Sequence, residues 1–195
     1  LGLVPAAPYS MSDMAVDAIG VLDALQIEKA HVVGVSMGGM IAQRVALAAP
    51  QRTLSLTSIM STSGARGLPQ AAPEVVRALI SRPAGRSTDA VVAHSVRLFQ
   101  TIGSPGYPTP EAELRERVRA SVSRAFHPVG TARQMLAVVA DITRAALLAR
   151  ITAPTLVVHG QADPLVPLAC GEDTARRIPG AQLVTIAGMG HGLPD

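Results

Sequence analysis

Aromatic residues are scarce in this chain: no Trp, two Tyr and two Phe in 195 residues, and Lys29 is the one lysine. Nucleic-acid binding needs cations along a backbone and aromatic faces for bases to stack on, so this composition argues against that class. The single cysteine, Cys170, excludes an internal disulfide and fits a reducing, cytoplasmic setting. Its helix-like surroundings make it a small packing residue. No apolar run approaches the ~20 residues of a membrane span, and no basic-then-apolar leader is visible. His31, His94, His127 and His159 show no pair at metal-ligand spacing with a third donor, so a structural role and not a metal site is expected of them.

What is present is apolar and lightly charged, with 48% hydrophobic and 16% charged residues, enough to bury one sizeable core. Gly34-Val35-Ser36-Met37-Gly38-Gly39 is the most informative stretch. His31-Val32-Val33 runs into it as a buried strand would, and residues 40–47 run out with helix-forming side chains until Pro50. A serine at a sharp strand-to-helix turn sits in strained geometry with its Oγ exposed, and Gly34 and Gly38 leave room where strand and helix nearly touch. The Met37 N–H at the helix start is then placed to donate to a developing oxyanion. Met37 and Met40 flank the serine and serve either as acyl-site lining or as core filler.

An acid and a base follow downstream. Thr155-Leu156-Val157-Val158-His159-Gly160 is a β-branched run, and Asp163 sits in the loop just past it. Residues 182–187 form a second run, ending in Gly188-Met189-Gly190-His191-Gly192. The order Ser36, Asp163, His191 suits a triad in which His191 takes the serine proton while Asp163 fixes its tautomer and stabilises the imidazolium. Asp141 is the rival acid, but it lies between helical segments and not at a strand end. Asp195, at the terminus, is no serious competitor.

With Tyr9-Ser10-Met11-Ser12-Asp13-Met14-Ala15, the elbow at 34–39, Ala153-Pro154-Thr155-Leu156 with His159-Gly160 and Asp163-Pro164, and Gly188-Met189-Gly190-His191, the chain resembles α/β-hydrolase-fold esterases of the aclacinomycin methylesterase and 3-oxoadipate enol-lactonase kind. The resemblance implies a serine hydrolase cleaving a small-molecule carboxylic ester or lactone without cofactor or metal. It also implies strands ahead of Tyr9, one of whose loops donates the second oxyanion N–H, and a closing helix after the histidine. The chain therefore reads as an internal fragment of a longer protein. The same motifs serve metal-free haloperoxidases or perhydrolases, and a non-catalytic α/β-hydrolase-like binding domain is the reading from another class.

The expected architecture is an α/β-hydrolase fold, a mostly parallel sheet flanked by helices. A capping box at Ser10 and Asp13 opens a helix whose Ala15, Ala18, Ile19, Leu22 and Leu25 recur at helical spacing to cover one face of the sheet. Residues 31–35, the elbow, its helix and a strand over 54–60 make a βαβ unit. Residues 65–148 carry only helical periodicity, broken at 82–85 and 103–108, as a helical cap would. The division is core over 1–64, cap insertion over 65–148 and core again over 149–195. Residues 65–133 hold ten arginines against five acids. That excess suits either attraction of an anionic substrate or a solvated face in which Glu111, Glu113, Arg115, Glu116, Arg117 and Arg119 form local ion pairs.

Overall fold

The computed structural model describes residues 6–193. Asp195 lies outside them. The described chain divides into two compact units. The first takes in residues up to Pro69, 129–159 and 168–185; the second takes in 70–128, 160–167 and residues from Ile186 onward.

In the first unit, helix α1 (Met11–Ala24) starts at the expected capping box: Ser10 Oγ accepts the Asp13 N–H at 3.1 Å and the Ser10 N–H donates to Asp13 Oδ2 at 2.7 Å. The expected coverage of a sheet face is corrected. Helix α1 packs against α2 (Met37–Ala48) and buries only Met11 and Ala15, while Val16, Val21 and Leu25 are exposed. Its periodicity was a true helix signal, but periodicity does not say which neighbour takes the apolar side.

The sheet holds β1 (Ala30–Val35), β2 (Thr53–Ile59), β3 (Thr155–Gly160) and β4 (Gln182–Ile186) in that spatial order. Strands β1 and β2 pair in parallel from Ala30 opposite Thr53 to Val35 opposite Ile59, with one register shift after Ala30. Strands β2 and β3 pair in parallel from Leu56 opposite Thr155 to Ile59 opposite Val158. Parallel pairing requires long crossovers, and α2 supplies the one from β1 to β2. The expectation of a buried strand at 31–33 does not hold. Strand β1 lies at the sheet edge, so only Gly34 is buried, and Val33 is 62% exposed.

Ala42 and Ala46 of α2, Leu56 of β2, Leu148, Ile151, Ala153 and Ile178 form the largest cluster of this unit. Met11, Met40 and Ala137 form a second, with Tyr9, Met14 and Met37 packed on it. Helix α6 (Pro128–Ala140), the short α7 (Arg144–Leu147) and α8 (Leu168–Arg177) also belong here. Cys170 is buried on α8 with its Sγ 3.8 Å from the Pro69 carbonyl.

Two buried ionic groups fasten the chain leaving β2. Asp141 pairs with both Arg44 of α2 and Arg144, and Arg144 also donates to the Thr62 carbonyl at 3.2 Å. Burial is the main force pulling the Arg144 guanidinium down to about 10, with the Arg44 charge adding to it, against the attraction and hydrogen bond of Asp141. One residue on, Ser63 Oγ donates to Asp173 Oδ2 at 2.6 Å. Burial works against the charged form of Asp173, yet hydrogen bonds from Arg177 and Ser63 and the charges of Arg177 and Arg176 hold its carboxyl below the ordinary value.

The second unit carries α3 (Pro73–Ile80), α4 (Thr88–Ile102) and α5 (Glu111–Arg124), so both expected breaks fall between helices. Among the described residues no strand lies between Ile59 and Thr155. Val92 and Val96 of α4 pack with Val118, Leu114 and Val122 of α5. Glu111 pairs with Arg115 and Glu113 with Arg117, each four residues on along α5 as local ion pairs would be, whereas Arg119 pairs across to Asp89 of α4. Among the described residues no helix is long and apolar enough to cross a membrane.

Candidate active site

Ser36 joins the carboxyl end of β1 to the first turn of α2 with φ 54° and ψ −119°. This is a left-handed φ on a residue with a Cβ, a conformation that costs on the order of 1–3 kcal/mol and persists only where the surroundings impose it. They do so here by hydrogen bonds: the Ser36 N–H donates to Ile59 O at 2.9 Å, and Ser36 O accepts the Gly39 N–H at 2.9 Å. The Ser36 side chain is half-buried, and Met37 supplies the first N–H of α2.

Glycine spacing around the serine works differently from expectation. A Cβ on Gly34 would stand 2.1 Å from the Gly38 carbonyl oxygen, so Gly34 is required by close approach of strand and helix backbones. A Cβ on Gly38 would meet nothing within 4 Å. The tight second position is Gly39, whose Cβ would stand 2.6 Å from that of Ser61. Met40 is buried against Met11 and Ala137, and Met37 packs half-buried on the same cluster.

Asp163 and His191 belong to the second unit and come together there. His191 Nδ1 donates to Asp163 Oδ2 at 2.7 Å, with both side chains almost fully buried. The other carboxylate oxygen, Oδ1, accepts the Leu165 and Val166 N–H groups at 2.9 and 2.8 Å. The loop at 161–166 thus folds around its own acid and leaves one oxygen for the imidazole. The Ala162 N–H donates to Met189 O at 2.9 Å, which joins the acid loop to the histidine loop by backbone as well.

Ser36 lies in the first unit and the Asp163–His191 pair in the second. Asp141, the rival acid, is committed to Arg44 and Arg144 within the first unit. The other histidines are dispersed: His31 Nδ1 lies 2.7 Å from Ser55 Oγ, His159 is buried against Gly171, His94 is on α4 and His127 precedes α6. No three His, Cys, Asp or Glu side chains gather as metal donors among the described residues. Sequence reasoning missed Ser104, whose hydroxyl accepts the Gly190 N–H at 3.0 Å and donates to Gly192 O at 2.8 Å. The signal available was indirect: Gly103, Gly106, Gly188 and Gly190 mark two loops that backbones approach closely.

The family of the α/β hydrolase fold matches residues 5–194. The rhodomycin D methylesterase DauP of Streptomyces sp. (strain C5) is 32% identical over 206 residues, which cover 96% of this chain and 69% of that protein. The solved structure of an N-acyl homoserine lactone degrading enzyme is 31% identical, with a TM-score of 0.71 over 96% of this chain and 70% of its own. A meta-cleavage product hydrolase from Pseudomonas fluorescens IP01 shares the fold at TM-score 0.74 and 23% identity, over 94% of this chain and 65% of its own.

Proposed function

Since the chain belongs to the α/β-hydrolase-fold family, we propose that it is a serine hydrolase that cleaves a carboxylic ester or lactone of a small molecule. Its similarity to a methylesterase and to a lactone degrading enzyme supports that substrate class. The observation that supports the reading most is the buried hydrogen bond from His191 to Asp163, made by a carboxylate whose other oxygen is already saturated by backbone.

The proposed division of labour is as follows. Ser36 Oγ attacks the carbonyl carbon while His191 Nε2 takes its proton, and Asp163 holds Nδ1 protonated and offsets the imidazolium charge. The Met37 N–H donates to the oxyanion. On collapse, His191 returns the proton to the leaving alkoxide, leaving an acyl group on Ser36 that water removes by the same route. The strained Ser36 backbone supports the role of nucleophile, because that conformation is stored where a side chain must be presented.

Mass spectrometry after treatment with a fluorophosphonate, on the protein and on its Ser36→Ala form, tests the assignment. One adduct that disappears in Ser36→Ala is expected. A folded protein that takes up no adduct would overturn the serine mechanism and leave a binding domain on the same fold.

A further inference from the structure

The loop that carries His191 is gripped by a turn at the start of the α4–α5 connection. The His191 N–H donates to Ile102 O at 2.7 Å, and the Gly106 N–H donates to Gly188 O at 2.8 Å. Between these two backbone bonds sits Ser104, a buried side chain that reaches both neighbours of His191: its Oγ accepts from Gly190 and donates to the carbonyl of Gly192. A Cβ on Gly190 would stand 2.0 Å from Gly103 O, so the two segments touch backbone to backbone. All of these residues lie within the second unit.

We infer that Ser104 is a positioning residue for His191. A hydroxyl that both accepts and donates fixes the loop on either side of the histidine, so the imidazole is set from its backbone as well as from Asp163. The Asp163 bond holds the imidazole at Nδ1, and the loop backbone sets the Cβ from which the ring hangs, so Nε2 keeps its place only while both are held. Anchors at 190, 191 and 192 hold that backbone, and displacement of a reacting group by about 1 Å can cost on the order of 100-fold in rate. The helical insertion therefore contributes to the base of the triad through its α4–α5 turn.

This role rests on the serine hydrolase reading, so the test pairs a catalytic readout with one that needs no catalysis. The rate of Ser36 labelling by fluorophosphonate and the backbone amide exchange of Gly190 and His191 are measured on the wild-type protein, its Ser104→Ala form and its Ser104→Thr form. Exchange at Gly190 and His191 is expected to speed about tenfold or more in Ser104→Ala, while Val92 and Val96 in the helical core stay protected. Labelling is expected to slow about 10–100-fold in Ser104→Ala and to recover to within about threefold in Ser104→Thr, which keeps the hydroxyl.

Unchanged exchange at Gly190 in Ser104→Ala would overturn the clamp, as would an unprotected Gly190 amide in the wild-type protein, a measurement that needs no variant to fold. Faster exchange with labelling at the wild-type rate would overturn the positioning role and leave the hydrolase reading intact. A wild-type protein that shows no Ser36-dependent adduct would overturn the hydrolase reading and, with it, the positioning role.

Discussion

Asp163 and His191 stand 28 positions apart in sequence and 2.7 Å apart between Oδ2 and Nδ1. The carboxylate reaches that position already half satisfied, because Leu165 and Val166 occupy Oδ1. Replacing Asp163 with Asn keeps the shape and turns the bond around: the amide NH₂ faces Nδ1 and selects the wrong tautomer. Turnover in Asp163→Asn should fall about 10²–10⁴-fold, with circular dichroism unchanged. Ester hydrolysis at an undiminished rate would remove Asp163 from the mechanism.

Gly34 and Gly38 should respond in opposite ways to the same methyl group. At Gly34 the added Cβ meets the Gly38 carbonyl at 2.1 Å, and backbone must move. Gly34→Ala should lower stability by about 1–3 kcal/mol or more. Gly38→Ala meets open space at the start of α2, and alanine's helix preference should keep it within about 1 kcal/mol of wild type or above it. Urea unfolding of the two variants side by side decides the matter, and equal losses would contradict the close-approach account.

Arg144 should be among the most costly residues to lose outside the site. Its guanidinium holds Asp141 and the Thr62 carbonyl, and Arg144→Met would leave a buried carboxylate shared with Arg44 alone. A loss of about 3–5 kcal/mol is expected from breaking one side of a buried ionic group. A thermal midpoint close to that of wild type would show that the network relaxes without cost.

Asp173 predicts an acid-dependent loss. Its folded carboxyl lies below the ordinary 3.8, so the ionised form adds stability in full above that value, and the gain is lost as pH falls through the folded pKa. Asp173→Asn should therefore cost about 1–3 kcal/mol at neutral pH, and the gap to wild type should close in acid. Denaturation curves across that range check the sign; a gap that widens in acid would refute it.

Local signals carried much of the reading. The capping box at Ser10 and Asp13, the breaks at 82–85 and 103–108, and the loops bearing Asp163 and His191 were visible because each depends on residues a few positions apart. Burial was less legible. Val33 and Leu25 read as core by type and spacing, yet both are exposed, since exposure depends on which strand or helix lies alongside. The role assigned to Gly38 went astray for a related reason: a motif names its glycines but not the atoms each would strike.

By itself the sequence pointed to the family, to the strand and helix order and to Ser36, Asp163 and His191 as the proposed triad, because turn chemistry and hydrophobic period are local properties of a chain. Only the tertiary structure decided that Asp163 reaches His191, that Asp141 is spent on Arg44 and Arg144, and that Ser104 grips both neighbours of the histidine. Apart from the Asp141–Arg144 pair, those pairings join residues tens of positions apart. Their geometry is set by how separate segments close-pack and satisfy buried polar atoms, which no short window of sequence contains.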